Sequence, residues 1–436
     1  MQPWNRYAPS SKMERYRIIN HGCKVNRYDG ELIRSELRRL GLVETPAQGT
    51  ADLVVLNACA VTDRAVQKGR QALRRLRREH PGGQVLLSGC MTGDDRAGYE
   101  RIDPDLAVLR SGDQHQIREA LLELIGHAAP AISGGHATPK PNGGLFRDRT
   151  RAFLKVQDGC DAHCSYCVIP SIRGGARSRP RQAVLEEARM LIHEGFRELV
   201  LCGVHLGHYG KNTATKLTDL VLALSDLEGE FRLRLSSLEI MEVDQQLADA
   251  LSARGGIVPH LHLPLQSGSS SVLRAMRRPY DAERFLRKLQ WIRSACPDLA
   301  VTTDVIVGFP GESDRDFSDT LDLVEQARFA KVHIFPFSPR IGTEAAKLPE
   351  RVAAPAVRRR IALLSRLERR LRREADLEQM GRLATVLVER STPKESSGLC
   401  EWYRRIRLPG ALQTSTFVRC RIVDRSGEDL IAEPCE

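Results

Sequence analysis

The stretch Cys160-Asp161-Ala162-His163-Cys164-Ser165-Tyr166-Cys167 places three cysteines on one short loop, with three and then two residues between them. It follows Phe153 to Gln157, a short apolar alternation that is typical of a β-strand. Three thiolates this close can bind three irons of a [4Fe–4S] cluster. Since four thiolates would complete the cluster, one iron stays open to a ligand that is not protein. A zinc site is the alternative, but zinc usually takes a fourth cysteine or histidine at short range, and His163 is a poor candidate.

The composition is that of a globular chain with several domains. Its 436 residues predict two to four domains, at about 100–200 residues each. No run of about 18 apolar residues occurs and the N-terminus lacks the apolar core of a signal peptide, so we expect a cytoplasmic protein without a membrane-spanning segment. Eleven cysteines then favour metal or redox chemistry over a disulfide framework. The net charge of +11 favours a polyanionic partner such as nucleic acid.

The first part of the chain repeats one pattern three times, a strand followed by a cysteine. Strands are predicted at 16–20, 51–56 and 84–87, and they are followed by Cys23, Cys59 and Cys90. Predicted helices over 31–40 and 63–80 separate the strands, which makes the sheet parallel. Ligands bind at the carboxyl edge of such sheets, so the three thiolates should meet there and could hold a second cluster with an open iron. The alternative is that buried cysteines follow three strands by coincidence.

The rest of the chain divides into a longer α/β part and a short β part. Strands are predicted at 153–157, 198–201, 231–235, 260–265, 300–307 and 331–337. Six strand–helix units are too few for a closed eight-stranded barrel, so we predict an open, incomplete (β/α)6 barrel with its chemistry at the carboxyl ends of the strands. A long arginine-rich helix is predicted over 355–380, with a charged face that either is solvated or contacts RNA. Four strands after Gly381, at 383–389, 403–408, 417–423 and 429–432, predict a small all-β barrel.

These features together resemble the methylthiotransferases, a family of radical S-adenosylmethionine (SAM) enzymes. The resemblance rests on the three N-terminal cysteines, the loop of three cysteines after Phe153 to Gln157, and the small C-terminal β domain. Several phrases resemble the branch that acts on N6-threonylcarbamoyladenosine in tRNA. They are Gly22-Cys-Lys-Val-Asn26, Cys59-Ala-Val-Thr62, Lys155-Val-Gln-Asp-Gly-Cys160, Arg173-Gly174, Arg177-Ser-Arg179, His262-Leu-Pro-Leu-Gln-Ser-Gly268, Thr303-Asp-Val-Ile-Val-Gly-Phe-Pro-Gly-Glu312, Phe337-Ser-Pro-Arg340 and Gly342-Thr343.

The resemblance implies an α/β fold of three domains. An N-terminal methylthiotransferase domain over 14–127, a parallel α/β sheet, would carry an auxiliary [4Fe–4S] cluster. A linker would follow over 128–150. The central incomplete barrel over 151–375 would be the radical SAM domain, and residues 376–436 would form an all-β, TRAM-like domain that contacts substrate.

The resemblance also implies the chemistry. Cys160, Cys164 and Cys167 would bind the cluster at which one SAM molecule is cleaved, and the resulting radical would abstract hydrogen from carbon 2 of the adenine. The auxiliary cluster, bound by Cys23, Cys59 and Cys90, would deliver sulfur, and another SAM would supply the methyl group. The reaction would convert N6-threonylcarbamoyladenosine at position 37 of tRNA, 3′ of the anticodon, to its 2-methylthio derivative. The implied partners are the anticodon stem-loop of tRNA and an electron donor such as flavodoxin or ferredoxin.

Further residues are candidates for binding SAM by their motif positions. Gly203 and Val204, after the second barrel strand, should contact its methionyl part. Candidates for contacts with its ribose or amino group, at later strand ends, are Ser237, Glu239, Gln266 and Asp304. Each of these residues could instead be a hydrogen-bonding or capping residue at the rim of the barrel.

Other readings of the sequence remain open. The same chemistry could act on an N6-isopentenyladenosine in tRNA or on an aspartate of a ribosomal protein. A non-catalytic RNA-binding protein with structural metal sites is an alternative of another class. The chain also departs from the family in Ala58, where a threonine is usual, and in Met91-Thr92-Gly93 after the third cysteine. These departures leave the cysteines intact but make substrate preference near Thr92 less secure.

Overall fold

The computed structural model describes residues 13–46, 49–109, 114–125, 150–211, 213, 215–253 and 255–435. Their contacts form two units. The first unit contains the described residues up to 125, together with 167–175 and 338–342, and the second unit contains the remainder. The predicted linker, 128–150, lies outside the described residues except for its last position. Within the described part of the chain, no helix combines the length and the apolar character needed to cross a membrane.

The first unit contains a five-stranded, wholly parallel sheet in the order β2-β1-β3-β4-β5. The strands are β1 (Arg15–Asn20), β2 (Val43–Glu44), β3 (Leu53–Ala58), β4 (Gln84–Gly89) and β5 (Ala107–Val108). The helices are α1 (Lys24–Arg39), α2 (Asp63–Glu79), α3 (Gly93–Glu100), α4 (Gln114–Ile125) and α5 (Ile169–Arg173). Every residue of the central strand β3 is buried, which explains its unbroken apolar sequence Leu-Val-Val-Leu. The predicted parallel sheet is confirmed.

Helix α1 starts earlier than the sequence pattern indicated. The prediction began at residue 31, whereas the helix begins at Lys24, directly after Cys23. Its first turn carries no apolar periodicity, because Asn26 there is buried by hydrogen bonds and not by apolar packing. This earlier start places Cys23 at the N-terminus of the helix.

The second unit contains six parallel strands in chain order. They form two three-stranded runs, β6-β9-β10 and β11-β12-β13, which are joined by a parallel bridge between Ser237 and His262. No pairing joins β6 to β13 among the described residues, so the predicted open, incomplete barrel is confirmed. The strands of this unit, with a small hairpin sheet of β7 and β8, are β6 (Arg151–Lys155), β7 (Gln157–Asp158), β8 (Arg177–Ser178), β9 (Glu198–Cys202), β10 (Arg232–Leu235), β11 (His260–His262), β12 (Ala300–Val307) and β13 (Lys331–Pro336).

Helices cover the outside of these strands. They are α6 (Arg181–His193), α7 (Leu217–Ser225), α8 (Gln245–Ala253), α9 (Ser270–Ala275), α10 (Ala282–Ala295), α11 (Asp314–Ala327), α12 (Glu344–Lys347) and α13 (Ala354–Glu378), with 3₁₀ turns at Leu206–His208 and Ile240–Glu242. Along β12, buried Val301, Thr303, Val305 and Val307 alternate with Asp304 and Ile306, which are only partly buried. This alternation leaves one face of the strand for the helices and the other for the interior of the barrel.

The C-terminal part is a closed five-stranded barrel in the order β14-β15-β16-β18-β17. Its strands are β14 (Leu383–Ser391), β15 (Glu395–Leu399), β16 (Arg405–Pro409), β17 (Phe417–Ser426) and β18 (Asp429–Pro434). The sequence prediction of four strands missed β15, because its sequence Glu-Ser-Ser-Gly-Leu has no apolar alternation. The strand is held by its pairing with β14 and β16 on either side.

The small barrel packs against the amino-terminal ends of the strands of the incomplete barrel. Arg232 donates to the carbonyl oxygens of Thr385 and Leu399 at 3.0 and 2.8 Å. Arg234, two residues further along β10, donates to the carbonyls of Cys400 and Glu401, both at 3.0 Å. The small barrel therefore lies at the end of the strands opposite to the loops that carry Cys160 and Gly203.

Candidate active site

Three thiols of the first unit lie at the carboxyl edge of its sheet. Cys59 and Cys90 directly follow β3 and β4 and are buried, whereas Cys23 precedes α1 and is exposed. Burial raises the pKa of the Cys59 thiol, and the nearby Cys23 raises it further. Burial also raises the pKa of Cys90 to about 12, with smaller contributions in the same direction from Cys23 and Cys59. The structure thus brings these three sequence-distant cysteines together.

Two buried asparagines tie the cysteine loops to one another. The Asn26 side chain donates to the carbonyl oxygens of His21 and Ala58 at 2.6 and 2.9 Å. The Asn57 side chain donates to Asn20 Oδ1 at 2.8 Å and to the Asn26 carbonyl at 2.6 Å. These bonds join the ends of β1 and β3 to the start of α1. Sequence reasoning did not assign them, although an asparagine two residues before Cys59 was a visible signal.

The glycines before two of these cysteines are required by close approach. Gly22 has φ +108°, and a Cβ atom on it would lie 2.9 Å from Cys59 Cβ. Gly89 has φ +97°, and a Cβ atom there would collide with the Ala58 carbonyl oxygen. Both positions therefore demand a residue without a side chain, because the backbone is left-handed and the neighbouring cysteine loop is in contact.

Arg173 adds a buried cation to this group of thiols. Its Nε donates to Cys90 Sγ at 3.1 Å, and its Nη2 donates to Asp29 Oδ2 at 2.8 Å. The guanidinium lowers the pKa of Cys90 against the larger effect of burial. A second cation, Arg340, is held by Asp63 and Asp95 and lowers the pKa of Cys59 through its charge. Thiolates that bind metal are anionic, so a buried set of three thiols beside cations fits an iron–sulfur cluster.

In the second unit, Cys160 and Cys164 lie on the loop after β7, and each contacts a basic side chain. Cys160 Sγ lies 3.5 Å from His205 Nδ1. Arg278 Nη1 donates to Cys164 Sγ at 3.3 Å. The third cysteine of the motif, Cys167, lies in the segment 167–175 that groups with the first unit, and it is partly exposed.

His205 links the loop after β9 to the cysteine loop. Its Nε2 lies 2.8 Å from Glu242 Oε1, and its ring stacks on His208 with 3.6 Å between centroids. Burial alone would lower the pKa of His205, but the hydrogen bonds to Cys160 and Glu242 raise it to about 10. The backbone N–H of His205 also donates to Gln157 Oε1 at 2.9 Å, so β7 and the loop after β9 are joined.

The predicted SAM contacts lie around the same end of the strands, with one difference. Gly203 and Val204 follow β9, Ser237 and Glu239 follow β10, and Gln266 follows β11 with φ +70°. Asp304 lies inside β12 and not at its end, because β12 continues to Val307.

Two of these candidates have partners within the protein. Glu239 forms an ion pair with Arg278 and accepts from the backbone N–H of Ile240. Burial raises the pKa of Glu239 despite the adjacent Arg278. Asp304 Oδ2 lies 3.1 Å from His262 Nε2, and the potential ligand atoms of His262, Asp304 and His333 all lie within 4.8 Å of one another. Sequence reasoning missed the two histidines, which lie on the strands on either side of β12.

Two known protein families match the chain. Residues 154–324 match the radical SAM superfamily, and residues 15–109 match an uncharacterized protein family, UPF0004.

Curated relatives match almost the whole length. The chain is 33% identical over 421 residues to a protein of Chlamydia pneumoniae named threonylcarbamoyladenosine tRNA methylthiotransferase MtaB, covering 96% of this chain and 97% of that protein. It is 30% identical over 439 residues to the tRNA-2-methylthio-N(6)-dimethylallyladenosine synthase of Carboxydothermus hydrogenoformans, covering 96% and 94%. Among solved structures, the radical SAM methyltransferase TsrM of Kitasatospora setae aligns with a TM-score of 0.53 over 74% of this chain and 73% of that one. The identity there is 14%, so this likeness shows the fold.

Proposed function

The chain belongs to the methylthiotransferase family of radical SAM enzymes, and from this membership we propose that it converts N6-threonylcarbamoyladenosine at position 37 of tRNA to its 2-methylthio derivative. The near full-length relative that carries the threonylcarbamoyladenosine name supports this substrate. The observation that carries the reaction type is the presence of two separate three-cysteine sets, one at the edge of the N-terminal sheet and one on the loop after β7. The non-catalytic alternative has no support from the comparisons.

Membership in the radical SAM superfamily implies SAM and a [4Fe–4S] cluster. We assign that cluster to Cys160, Cys164 and Cys167, and a second, auxiliary cluster to Cys23, Cys59 and Cys90. When bound, such a cluster with SAM supplies the one-electron chemistry that can break an unactivated carbon–hydrogen bond, which acid–base groups cannot do. The thiols suit this role because each set leaves one iron without a protein ligand.

The protein's own residues position the reactants. Gln157 donates to the carbonyls of Asp158 and Gly159 at 2.9 and 2.7 Å and accepts from His205, so it holds the cysteine loop against the loop after β9. Gly203 and Val204 follow on that second loop, where they would contact SAM. Glu239 has its carboxylate bound by Arg278, so we propose that it acts on SAM through this pair. The remaining proposed contacts are Ser237, Gln266 and Asp304.

The partners follow from the substrate. tRNA is a polyanion, and the net charge of +11 agrees with such a partner. We place the contact at the anticodon stem-loop, since position 37 lies beside the anticodon. An electron donor such as flavodoxin or ferredoxin would reduce the SAM-binding cluster, and a reaction on tRNA with such a donor is expected in the cytoplasm.

Nucleoside mass spectrometry of tRNA tests the proposal. Cells that lack the gene should lose 2-methylthio-N6-threonylcarbamoyladenosine and regain it with the wild-type gene. A Cys160→Ala gene should fail to restore it, whereas Cys435→Ser, which changes a cysteine outside both sets, should restore it. Unchanged levels of the modified nucleoside in the deletion strain would overturn the proposed substrate.

A second substrate is favoured by one observation, the 30% identity to the dimethylallyladenosine synthase over 96% of the chain. Loss of the isopentenyl-type 2-methylthio nucleoside in the same deletion strain would assign the protein to that branch. If neither nucleoside changes, the ribosomal aspartate becomes the substrate to examine, by mass spectrometry of ribosomal proteins from the same strains.

A further inference from the structure

We infer that each proposed cluster has an arginine of its own that holds one cysteine ligand and tunes the cluster: Arg173 for the auxiliary cluster and Arg278 for the SAM-binding cluster. Both roles rest on the proposed function, since they require that the two cysteine sets bind iron. Neither arginine was assigned by its sequence motif. Each is a positioning residue, because it acts on the metal through a cysteine sulfur.

Arg173 is fixed before any metal is bound. Its side chain is only 1% exposed, and it forms an ion pair with Asp29, whose side chain is 5% exposed. A buried guanidinium needs an anion within reach, and Asp29 in α1 supplies it. With one side of the guanidinium held by this carboxylate, the Nε–H points at Cys90 Sγ, 3.1 Å away. The orientation of Cys90 therefore depends on an ion pair between α1 and α5.

Arg278 is fixed in a comparable way in the second unit. It forms an ion pair with Glu239, and its Nη2 and Nε both donate to the Tyr280 hydroxyl, at 2.9 and 3.1 Å. The Tyr280 hydroxyl in turn donates to the Pro264 carbonyl at 2.8 Å. These contacts leave Nη1 directed at Cys164 Sγ, 3.3 Å away.

The same physical effect follows at both sites. A reduced cluster carries one more negative charge than the oxidised cluster, so a fixed cation that donates a hydrogen bond to a ligand sulfur stabilises the reduced form more. Hydrogen bonds to cluster sulfurs and local charge are known determinants of the reduction potential. Removing either arginine should therefore lower the potential of its own cluster and leave the other unchanged.

The experiment measures the two clusters separately in the full-length chain. One background carries Cys160→Ala, Cys164→Ala and Cys167→Ala and keeps the auxiliary cluster. The other carries Cys23→Ala, Cys59→Ala and Cys90→Ala and keeps the SAM-binding cluster. After anaerobic reconstitution, iron content and an EPR-monitored redox titration are recorded for each background, alone and with Arg173→Gln or Arg278→Gln.

We expect Arg173→Gln to disfavour reduction of the auxiliary cluster about tenfold, which is about 59 mV for one electron, and Arg278→Gln to do the same to the SAM-binding cluster. Arg77→Gln is the matched control, because it removes another arginine–aspartate pair of the first unit, with Asp103, that contacts no cysteine. Its effect should be confined to stability. If a glutamine variant loses iron, Arg173→Lys or Arg278→Lys keeps the charge and gives the potential instead.

Unchanged potentials in both arginine variants with full iron content would overturn the inference. So would equal shifts of both clusters by either variant, since a local hydrogen bond acts on one cluster only. Failure of both cysteine backgrounds to bind iron would overturn the proposed function itself, and with it the roles of the arginines.

Discussion

Gly89 shows at the residue scale how closely the cysteine loops of the first unit approach each other. Its backbone is left-handed, with φ +97°, and it lies against the carbonyl of Ala58 and the side chains of Asn57 and Asn26. Gly41 has a similar φ of +86° but no atom within 4 Å of the position of a Cβ. The two glycines therefore separate backbone strain from steric exclusion.

We expect Gly89→Ala to destabilise the protein more than Gly41→Ala does. Gly41→Ala adds only the cost of a left-handed alanine, about 1–2 kcal/mol. Gly89→Ala adds a collision with a backbone carbonyl, which forces the loop of Cys90 to move, and should cost about 1–3 kcal/mol more. Urea unfolding of the metal-free protein measures both costs, and iron binding should fall only in Gly89→Ala. Equal costs and equal iron content in the two variants would contradict this account of the loop.

At the scale of a single element, helix α13 separates its arginines into two groups. Arg359, Arg360, Arg370 and Arg372 pair with acidic side chains of neighbouring elements. Four others are exposed and form no ion pair among the described residues: Arg358, Arg366, Arg369 and Arg373. At about 100° per residue these four lie within about 80° of arc, on the side opposite the buried Leu364 and Leu371. The sequence left open whether this face contacts RNA.

The four unpaired arginines span about 22 Å along the helix, at 1.5 Å per residue, a length that can follow an RNA backbone. We expect the double variant Arg366→Gln, Arg373→Gln to weaken tRNA binding and to reduce the slope of log Kd against log salt by about one for each phosphate that these arginines neutralise. The measurement is tRNA affinity at several salt concentrations.

The double variant Arg359→Gln, Arg370→Gln is the matched control for this surface. It removes the same charge, but both arginines already pair with carboxylates of α11, Asp314 and Glu325. Its salt slope should stay close to that of the wild type. The same decrease of slope in both double variants would show that general charge, and not the solvent face of α13, attracts the tRNA.

At the scale of the whole second unit, a buried charge cluster joins the small β barrel to the incomplete barrel. Glu198 is fully buried and accepts from Arg232 Nε at 2.6 Å and from Arg234 Nε at 3.0 Å. Burial alone would raise the pKa of Glu198, but Arg234, Arg232 and Arg151 together hold it well below its usual range. The same arginines 232 and 234 bind the carbonyls of the small barrel, so one carboxylate supports the whole junction.

We expect Glu198→Gln to destabilise the metal-free protein by about 3–5 kcal/mol at pH 7, because it leaves buried guanidinium groups without their anion. Since the folded pKa of Glu198 is depressed, its contribution is complete above the ordinary glutamate value of 4.5 and is lost as the pH falls through the folded pKa. The difference between wild type and variant should therefore narrow below about pH 4.5.

Urea unfolding at pH 7 and at pH 4 measures this difference. Glu325→Gln, which breaks an exposed pair with Arg370, is the control and should cost less than about 1 kcal/mol. A difference between wild type and Glu198→Gln that grows as the pH falls would contradict the assignment of an ionised, structurally essential Glu198.

The position of the small barrel also constrains how tRNA binds. It packs at the amino-terminal ends of the strands, whereas the loops that carry Cys160 and Gly203 follow the carboxyl ends. A strand of five or six residues spans about 17–20 Å. Any RNA contact made by the small barrel would therefore lie at least this far from the reacting base.

The sequence by itself determined the features that are local in the chain. Thiol spacing identified both cysteine sets, and alternating apolar segments predicted the parallel sheet, the six barrel strands and a β-rich C-terminus. These succeed because a strand or a short loop is set by neighbouring residues. The same reasoning missed β15, whose polar sequence is a strand only through pairing on both sides. It also placed Asp304 at a strand end, although β12 runs on to Val307.

Only the tertiary structure decided which distant side chains meet the cysteines. Arg173 reaches Cys90 across 83 positions of sequence, and Arg278 reaches Cys164 across 114. Nothing in the local sequence of either arginine distinguishes it from the many that are merely solvated. The difference arises on folding, when Asp29 and Glu239 fix the two guanidinium groups in buried surroundings. A buried charge keeps its place only where the fold supplies its partner.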